Sequence, residues 1–196
     1  MRIKRIIFAP IRVVRFLINK SQYGYIGWHT YIERPLRIDC KRNIYLDNGV
    51  SISSYCWLAA KAKTSESDKA RLVIREGSSV GDFAHIYATK QIVIDKNVLL
   101  ANFVYISDNL HGYEDIDTPI IQQPIVQKNP VYIGEGSWIG EHVCILGASV
   151  GRHCVIGANS VVTHNIPDYC IAVGSPARVI KKYNFSTQKW ERVELE

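Results

Sequence analysis

Six histidines, His29, His85, His111, His142, His153 and His164, are the side chains in this 196-residue chain that titrate nearest neutral pH. Any of them could take a proton from a weak nucleophile as it attacks. His111 differs from the others in its setting. It lies in the stretch SDNLHGYEDIDTPIIQQPIVQKNP (107–130), with Gly112 directly after it and acids nearby at Asp108, Glu114 and Asp115. A base on such a stretch can face a cleft, and Asp108, the nearest of these acids to be considered as a partner, would orient the ring and favour the imidazolium form. The alternative is a histidine that only ties down a loop. A metal site fits the pattern less well. A zinc centre of three histidines needs two of them close in sequence, and after His85 and His111 none follows until His142. The five cysteines (Cys40, Cys56, Cys144, Cys154, Cys170) are odd in number and show no CxxC spacing, so they read as reduced thiols of a cytoplasmic protein, with no metal.

What must hold such a base is written in the residues around the loop. From Val131 to Val162 an aliphatic residue recurs at Ile133, Ile139, Ile145, Val150, Ile156 and Val162, with glycine following at Gly134, Gly140, Gly151 and Gly157. The step is six residues, broken once by a step of five between Ile145 and Val150. A helix repeats near 3.6 and a half-buried strand near 2, so neither accounts for this beat. A coil of short straight edges and tight corners does, with the aliphatic pointing inward and the glycine where the chain turns. The same grid runs upstream through Val104, Val98, Ile92, Ile86, Val80 and Ile74, and through Cys56, Val50, Ile44, Ile38, Ile32 and Ile26. Residues 57–73 put Asp68 at an inward slot and are expected to bulge out as a flap or hairpin. Residues 107–130 carry no repeat and read as a long loop, which in a compact domain is usually functional.

The composition, 47% hydrophobic, is that of one globular domain with a real core. The grid divides the chain into a basic amphipathic segment (1–23), a coil domain (24–183) with the loop 107–130, and a polar tail (184–196) expected to form a short terminal helix. No run of eighteen apolar residues suggests a membrane-spanning helix. Residues 1–20 place Ile3, Ile7, Ile11, Val14 and Ile18 at helical spacing among six basic residues and no acid, with Pro10 to break or kink the helix. The segment either caps the open end of the coil or attaches reversibly to an anionic membrane surface. The net charge of +6 sits mostly at the two ends. No basic-aromatic groove or reading helix points to nucleic acid, and a phosphorylated cofactor suits this distribution better.

The words PVYIGEGSWIG (130–140), VIGANSVVTHNIPDYCIAVGSPARVIKK (155–182) and SDNLHGYEDIDTPI (107–120) resemble the hexapeptide-repeat acyltransferases, specifically the galactoside, maltose and surface-polysaccharide O-acetyltransferases. The resemblance covers about residues 24–183. It implies a left-handed parallel β-helix of triangular section, a homotrimer, and acetyl-coenzyme A bound between subunits. It implies a sugar or glycan hydroxyl as acceptor and a catalytic histidine on the loop, which falls on His111. Relatives often read D-H-x-H-G there, whereas this chain reads Asp108-Asn109-Leu110-His111-Gly112 and lacks the first histidine. The resemblance also assigns Trp138 beside the reacting groups, with Asn102 and, more weakly, Tyr113 toward the acceptor. Gly140, Gly157 and Ala158 would let the pantetheine arm lie against the backbone. Thr163 and His164 (in place of a more usual lysine) match the nucleotide end, and Arg178 and Lys181, with Lys182 assisting, match the basic residues that meet phosphates. Amino-sugar N-acetylation is the nearest alternative. A zinc hydratase of the γ-carbonic anhydrase type and a catalytically silent binding coil are the rivals from other classes.

Overall fold

The computed structural model describes residues 18, 20–62 and 70–193, and the amphipathic segment expected over residues 1–20 therefore falls almost wholly outside the described residues. Its regular secondary structure is nearly all strand, with two short 3-10 turns at Lys41–Asn43 and Ile120–Gln122. The strands stack into three parallel sheets that form the three faces of a prism, each coil of the chain visiting them in order.

The first face holds Tyr25–Ile26, Ile44–Leu46, Arg71–Ile74, Gln91–Ile94 and Val131–Ile133. The second holds Tyr31–Ile32, Ser51–Ile52, Ser79–Val80, Leu99–Leu100, Trp138–Ile139, Val155–Ile156 and Cys170–Val173. The third holds Arg37–Asp39, Trp57–Ala60, His85–Ala88, Tyr105–Ser107, Cys144–Leu146 and Val161–Val162. Strands of two to four residues suffice because each is hydrogen-bonded to the coil above and the coil below in unshifted register, as in Leu99↔Trp138 and Trp138↔Val155.

The six-residue grid is the core. Ile26, Ile32, Ile44, Val50, Cys56, Ile74, Val80, Ile86, Ile92, Val98, Val104, Ile133, Ile139, Ile145, Val150, Ile156 and Val162 are all buried, and Ile38 packs against them half-buried. Because side chains alternate along a strand, the inward set also gains residues that the grid skips, such as Leu46, Leu72, Ile94, Leu100 and Ile106. Cys56, Cys154 and Cys170 fill inward positions as small hydrophobes, and all five cysteines are free. Burial pushes the thiols of Cys56 and Cys154 up to about 11, so both stay protonated at neutral pH.

Three expectations need correction. Trp57–Ala60 and Arg71–Ile74 do not bulge but are ordinary rungs of the third and first faces, with Leu58 and Leu72 fully buried; only residues 63–69, Asp68 among them, lie outside the described residues. The loop is not without order, since Asn109–His111 and Ile125–Gln127 pair as an antiparallel hairpin. The tail is not helical either. Arg178–Asn184 and Lys189–Arg192 add two antiparallel strands to the end of the second face. The repeat supplies a free sheet edge at its last coil, and a hairpin that pairs with that edge satisfies backbone groups a helix would have left open. Coil length changes where the third face turns into the first, as at the insert after Ala60, the loop after Ser107 and the shortened steps after Leu146 and Val162.

Candidate functional site

Asp108 is the first residue of the excursion, and it is fully buried. One carboxylate oxygen accepts from the Thr89 amide (2.7 Å), the Thr89 hydroxyl (2.8 Å) and Asn109 Nδ2 (3.2 Å); the other accepts from the amides of Lys90 (2.7 Å) and Gln91 (2.8 Å). The preceding coil turns its corner at those three amides, so one carboxylate binds the loop's root to the prism. Gln127 closes the same root from the return side, donating from Nε2 to the Asp108 carbonyl at 2.7 Å and accepting from the Thr89 hydroxyl at 2.9 Å. The returning chain then crosses Gly147, where a Cβ would lie 2.4 Å from Lys128 Cβ, so only glycine fits.

This corrects the role expected of Asp108. Its oxygens are committed to backbone amides and to Thr89 and Asn109, and it does not orient His111. Glu114 and Asp115 are engaged locally, accepting from the Tyr113 amide (3.0 Å) and from the Thr118 hydroxyl (2.7 Å) respectively, and those bonds hold both carboxyls below their ordinary range. His111 itself pairs through its backbone with Ile125, is exposed, and makes no side-chain hydrogen bond among the described residues. An imidazole held on a braced hairpin and open on all its polar atoms is free to meet a substrate. Tyr113 is also exposed on this loop.

A second group of candidate residues gathers at the corner between the second and third faces. Asn102 is there on the coil before the loop, accepting from the Asp82 amide at 2.9 Å through Oδ1 and, through its carbonyl, from the His142 amide at 3.1 Å. Part of its side chain is thus structural, while Nδ2 has no partner among the described residues. Trp138 stands on the second face one rung from Leu99, 49% exposed, two residues before Gly140 at the corner. Gly140 and Gly157 stand at that corner on successive coils. At Gly140 a Cβ would fall 2.7 Å from the Ala158 amide nitrogen, so the glycine is required by coil stacking and leaves a smooth, backbone-lined edge beside Ala158. Arg178 begins the last strands next to this edge, opposite Val173, and donates from Nη1 to the Ala177 carbonyl at 3.1 Å.

The remaining candidates are not all brought together. Thr163 and His164 sit at the other end of the third face, where Thr163 Oγ1 and His164 Nδ1 are 3.0 Å apart. Lys181 pairs with Ile171, three residues along from Arg178 and away from the glycine edge. The two groups therefore leave the prism at opposite margins of the third face. A cavity of about 270 Å³ lined by Tyr23, Ile32, Pro35, Leu36, Arg37, Ile38 and Lys41 lies at the first coils and contains none of the candidate residues.

Two features escaped the sequence reading. Tyr55, Phe83, Phe103 and His142 occupy one corner position on successive coils, all with φ between 57° and 60°, and stack with ring centroids 4.6–5.0 Å apart. Their spacings of 28, 20 and 39 residues follow no period, so only the coil lengths could have shown it. On the third face Trp57 lies over His85 at 4.2 Å and donates from Nε1 to Asp39. His85 Nε2 is buried without a hydrogen-bond partner among the described residues, and burial holds that imidazole below its ordinary pKa.

Comparison with known proteins agrees with this architecture. The model for the hexapeptide repeat of succinyl-transferase matches residues 130–164. An Escherichia coli (strain K12) protein named for lipopolysaccharide biosynthesis O-acetyl transfer is 37% identical over 120 residues, 58% of this chain and 61% of that protein. A Mycobacterium tuberculosis protein named as an acetyltransferase is 48% identical over 101 residues, 51% of this chain and 32% of that protein. The chain thus spans less than two thirds of either relative's length. Among solved structures, the N-acyltransferase AntD from Bacillus cereus, with dTDP and 3-hydroxybutyryl-CoA, superposes with a TM-score of 0.72 at 18% identity, over 88% of this chain and 90% of that one. That likeness speaks for the fold alone. A maltose O-acetyltransferase from Clostridium difficile 630 matches with a TM-score of 0.50 at 29% identity, covering 86% and 74%.

Proposed function

We propose that this chain, which belongs to the hexapeptide-repeat acyltransferases and has their left-handed parallel β-helix fold, transfers an acetyl group from acetyl-coenzyme A to a sugar hydroxyl. The acceptor is a cell-surface glycan or its precursor, as the E. coli relative's name suggests. The observation that carries the reading is His111: an exposed, unengaged imidazole on a hairpin whose root is fixed by Asp108.

The steps follow from that arrangement. The neutral imidazole takes the hydroxyl proton as the sugar oxygen attacks the thioester carbonyl, giving a tetrahedral intermediate. Collapse of the intermediate breaks the carbon–sulfur bond, and the imidazolium returns the proton to the departing thiolate. The acetyl ester and coenzyme A leave with the base regenerated. The edge formed by Gly140, Gly157 and Ala158 receives the pantetheine arm, where amides approach closely enough to exchange hydrogen bonds with it. Arg178 next to that edge takes phosphate oxygens, with Lys181 farther out. Trp138 and Asn102 border the acceptor side, and Tyr113 does so from the loop.

Because His111 and the glycine edge leave opposite margins of the third face, one copy supplies each half of a cleft, and a closed ring of three copies joins the loop of one to the edge of the next. Thr163 and His164, on the loop's side of the face, then meet the cofactor of the neighbouring cleft. The site is built from this protein's own side chains and calls for no metal. No described helix is long and apolar enough to cross a membrane.

Thiol release from acetyl-coenzyme A, measured across a panel of glycans and amino sugars with mass spectrometry of the product, tests the proposal. The expected product is an ester cleaved by mild base. A base-stable amide would establish the amino-sugar reaction in its place, and failure to bind or turn over any acyl-coenzyme A would leave a silent coil.

A further inference from the structure

Among the clusters of exposed large apolar side chains in the described residues, two lie in segments of opposite charge. The loop tip exposes Ile116 (94%) and Ile121 (86%) beside Glu114, Asp115 and Asp117. The terminal hairpin exposes Phe185 (64%) and Trp190 (40%) in a segment, 178–193, with five basic residues (Arg178, Lys181, Lys182, Lys189, Arg192) against one acid, Glu191. An anionic surface repels the first and attracts the second.

The hairpin's order makes its exposure unusual. Tyr183 faces Trp190 across the strands and Lys181 faces Arg192, so side-chain alternation puts these four on one side of the ribbon. Phe185 meets Tyr183 edge-on at 5.1 Å and Tyr169 at 4.9 Å, and Tyr183 meets Trp190 at 5.4 Å. Arg152 lies over the Tyr169 ring at 5.4 Å. The single acid, Glu191, accepts from Asn184 Nδ2 (2.9 Å) and the Thr187 hydroxyl (2.7 Å) on the side of the ribbon that carries Lys182 and Lys189, opposite to Lys181 and Arg192. The rings are thus locked in a herringbone before anything binds, so little side-chain freedom is lost on contact. Aromatic rings fixed among lysines and arginines are the composition that settles at a bilayer's headgroup level.

We propose that the hairpin Arg178–Arg192 is a docking surface for an anionic lipid bilayer, with Phe185 and Trp190 entering the headgroup region and Arg192, on the same side of the ribbon, meeting lipid phosphates. This does not depend on the acyl-transfer reading. It would bring a glycan-modifying site to the surface where lipid-linked acceptors are found.

The full chain is sedimented with phosphatidylcholine vesicles and with mixed phosphatidylcholine–phosphatidylglycerol vesicles, alongside the variant F185S/W190S/R192S. Circular dichroism and the thermal midpoint confirm that the variant keeps the coil. The expected result is binding to the mixed vesicles only, lowered about tenfold or more in the variant and weakened by salt. Equal binding by the variant would overturn the proposal, since the basic residues 1–20 would then account for the attachment. Displacement of the wild-type protein from vesicles by free coenzyme A would overturn it too, by showing the patch to be a nucleotide site. The Trp190→Phe protein supplies a separate readout: the blue shift of tryptophan emission on vesicle addition is expected in the wild type and lost in this variant.

Discussion

The coil and the loop that leaves it obtain their order by opposite means. In the coil most described inward slots from Ile26 to Val162 repeat the same solution, a buried aliphatic on a strand hydrogen-bonded above and below, so stability is shared among many equivalent rungs. In the loop one buried carboxylate, Asp108, binds three backbone amides, and beyond it the chain depends on a short hairpin and the local turns of Asp115 and Gln123. The difference teaches where function can sit. A repeat tolerates change at any single rung but offers no unique place for a reactive group, whereas a braced excursion offers one place and depends on one brace.

The brace gives the sharpest way to break that comparison. Asp108→Ala leaves the amides of Thr89, Lys90 and Gln91 without their acceptor and is expected to cost about 3 kcal/mol or more, read as a lowered urea midpoint. Acetyl transfer should fall with it even though no coil residue has changed. Stability within experimental scatter of the wild type would show that the loop's root is held elsewhere.

His111→Asn tests the loop's chemistry apart from its structure. Turnover should drop roughly 100-fold or more, about 2.7 kcal/mol in barrier, with the thermal midpoint unmoved because the side chain has no partner to lose. Near-normal turnover would remove His111 from the mechanism.

Smaller effects are expected in the coil. Phe103 adopts φ 58° at its corner, where an L side chain is strained by about 1–2 kcal/mol. Its stacks on Phe83 and His142 return about 0.5–1.5 kcal/mol each. Phe103→Gly should therefore fall between a gain of about 1 kcal/mol and a loss of about 2 kcal/mol, and a larger loss would show that the aromatic file is a principal support.

The slightest effect is on pH dependence. His85 is held below its ordinary 6.5 by burial, so on acidification the unfolded chain takes up a proton before the folded one does. This contribution to stability is constant above pH 6.5 and shrinks as pH falls below it, until the folded-state imidazole also protonates. His85→Phe should flatten that part of the urea midpoint against pH, and an unchanged slope would assign the acid sensitivity to other groups.

Much of the coil was legible because a period of six is independent of what lies far away in sequence. Each aliphatic on the grid predicts its own burial, and the five-residue step after Ile145 marks a shortened corner. His111 was legible for the converse reason, as a histidine in a stretch where the beat stops. The role of Asp108 was not. Its partners lie 17 to 19 residues upstream on the previous coil, and proximity to His111 in sequence misled because Asp108 sits at the bend between two strands with its carboxylate turned back to that coil, while His111 lies out on the hairpin. The tail was misread because a polar stretch without period carries no sign of the sheet edge waiting for it.

Read alone, the chain determined which side chains face inward, where the coil is interrupted and which histidine stands outside the repeat, because these follow from local spacing. Tertiary structure decided that the aromatic residues at one corner stack into a file. It also decided that the last residues close the second face, and that His111 and the smooth glycine edge leave opposite margins of one face. Those outcomes depend on which coil lies above which, a matter of coil length and hydrogen-bond register that no window of sequence contains.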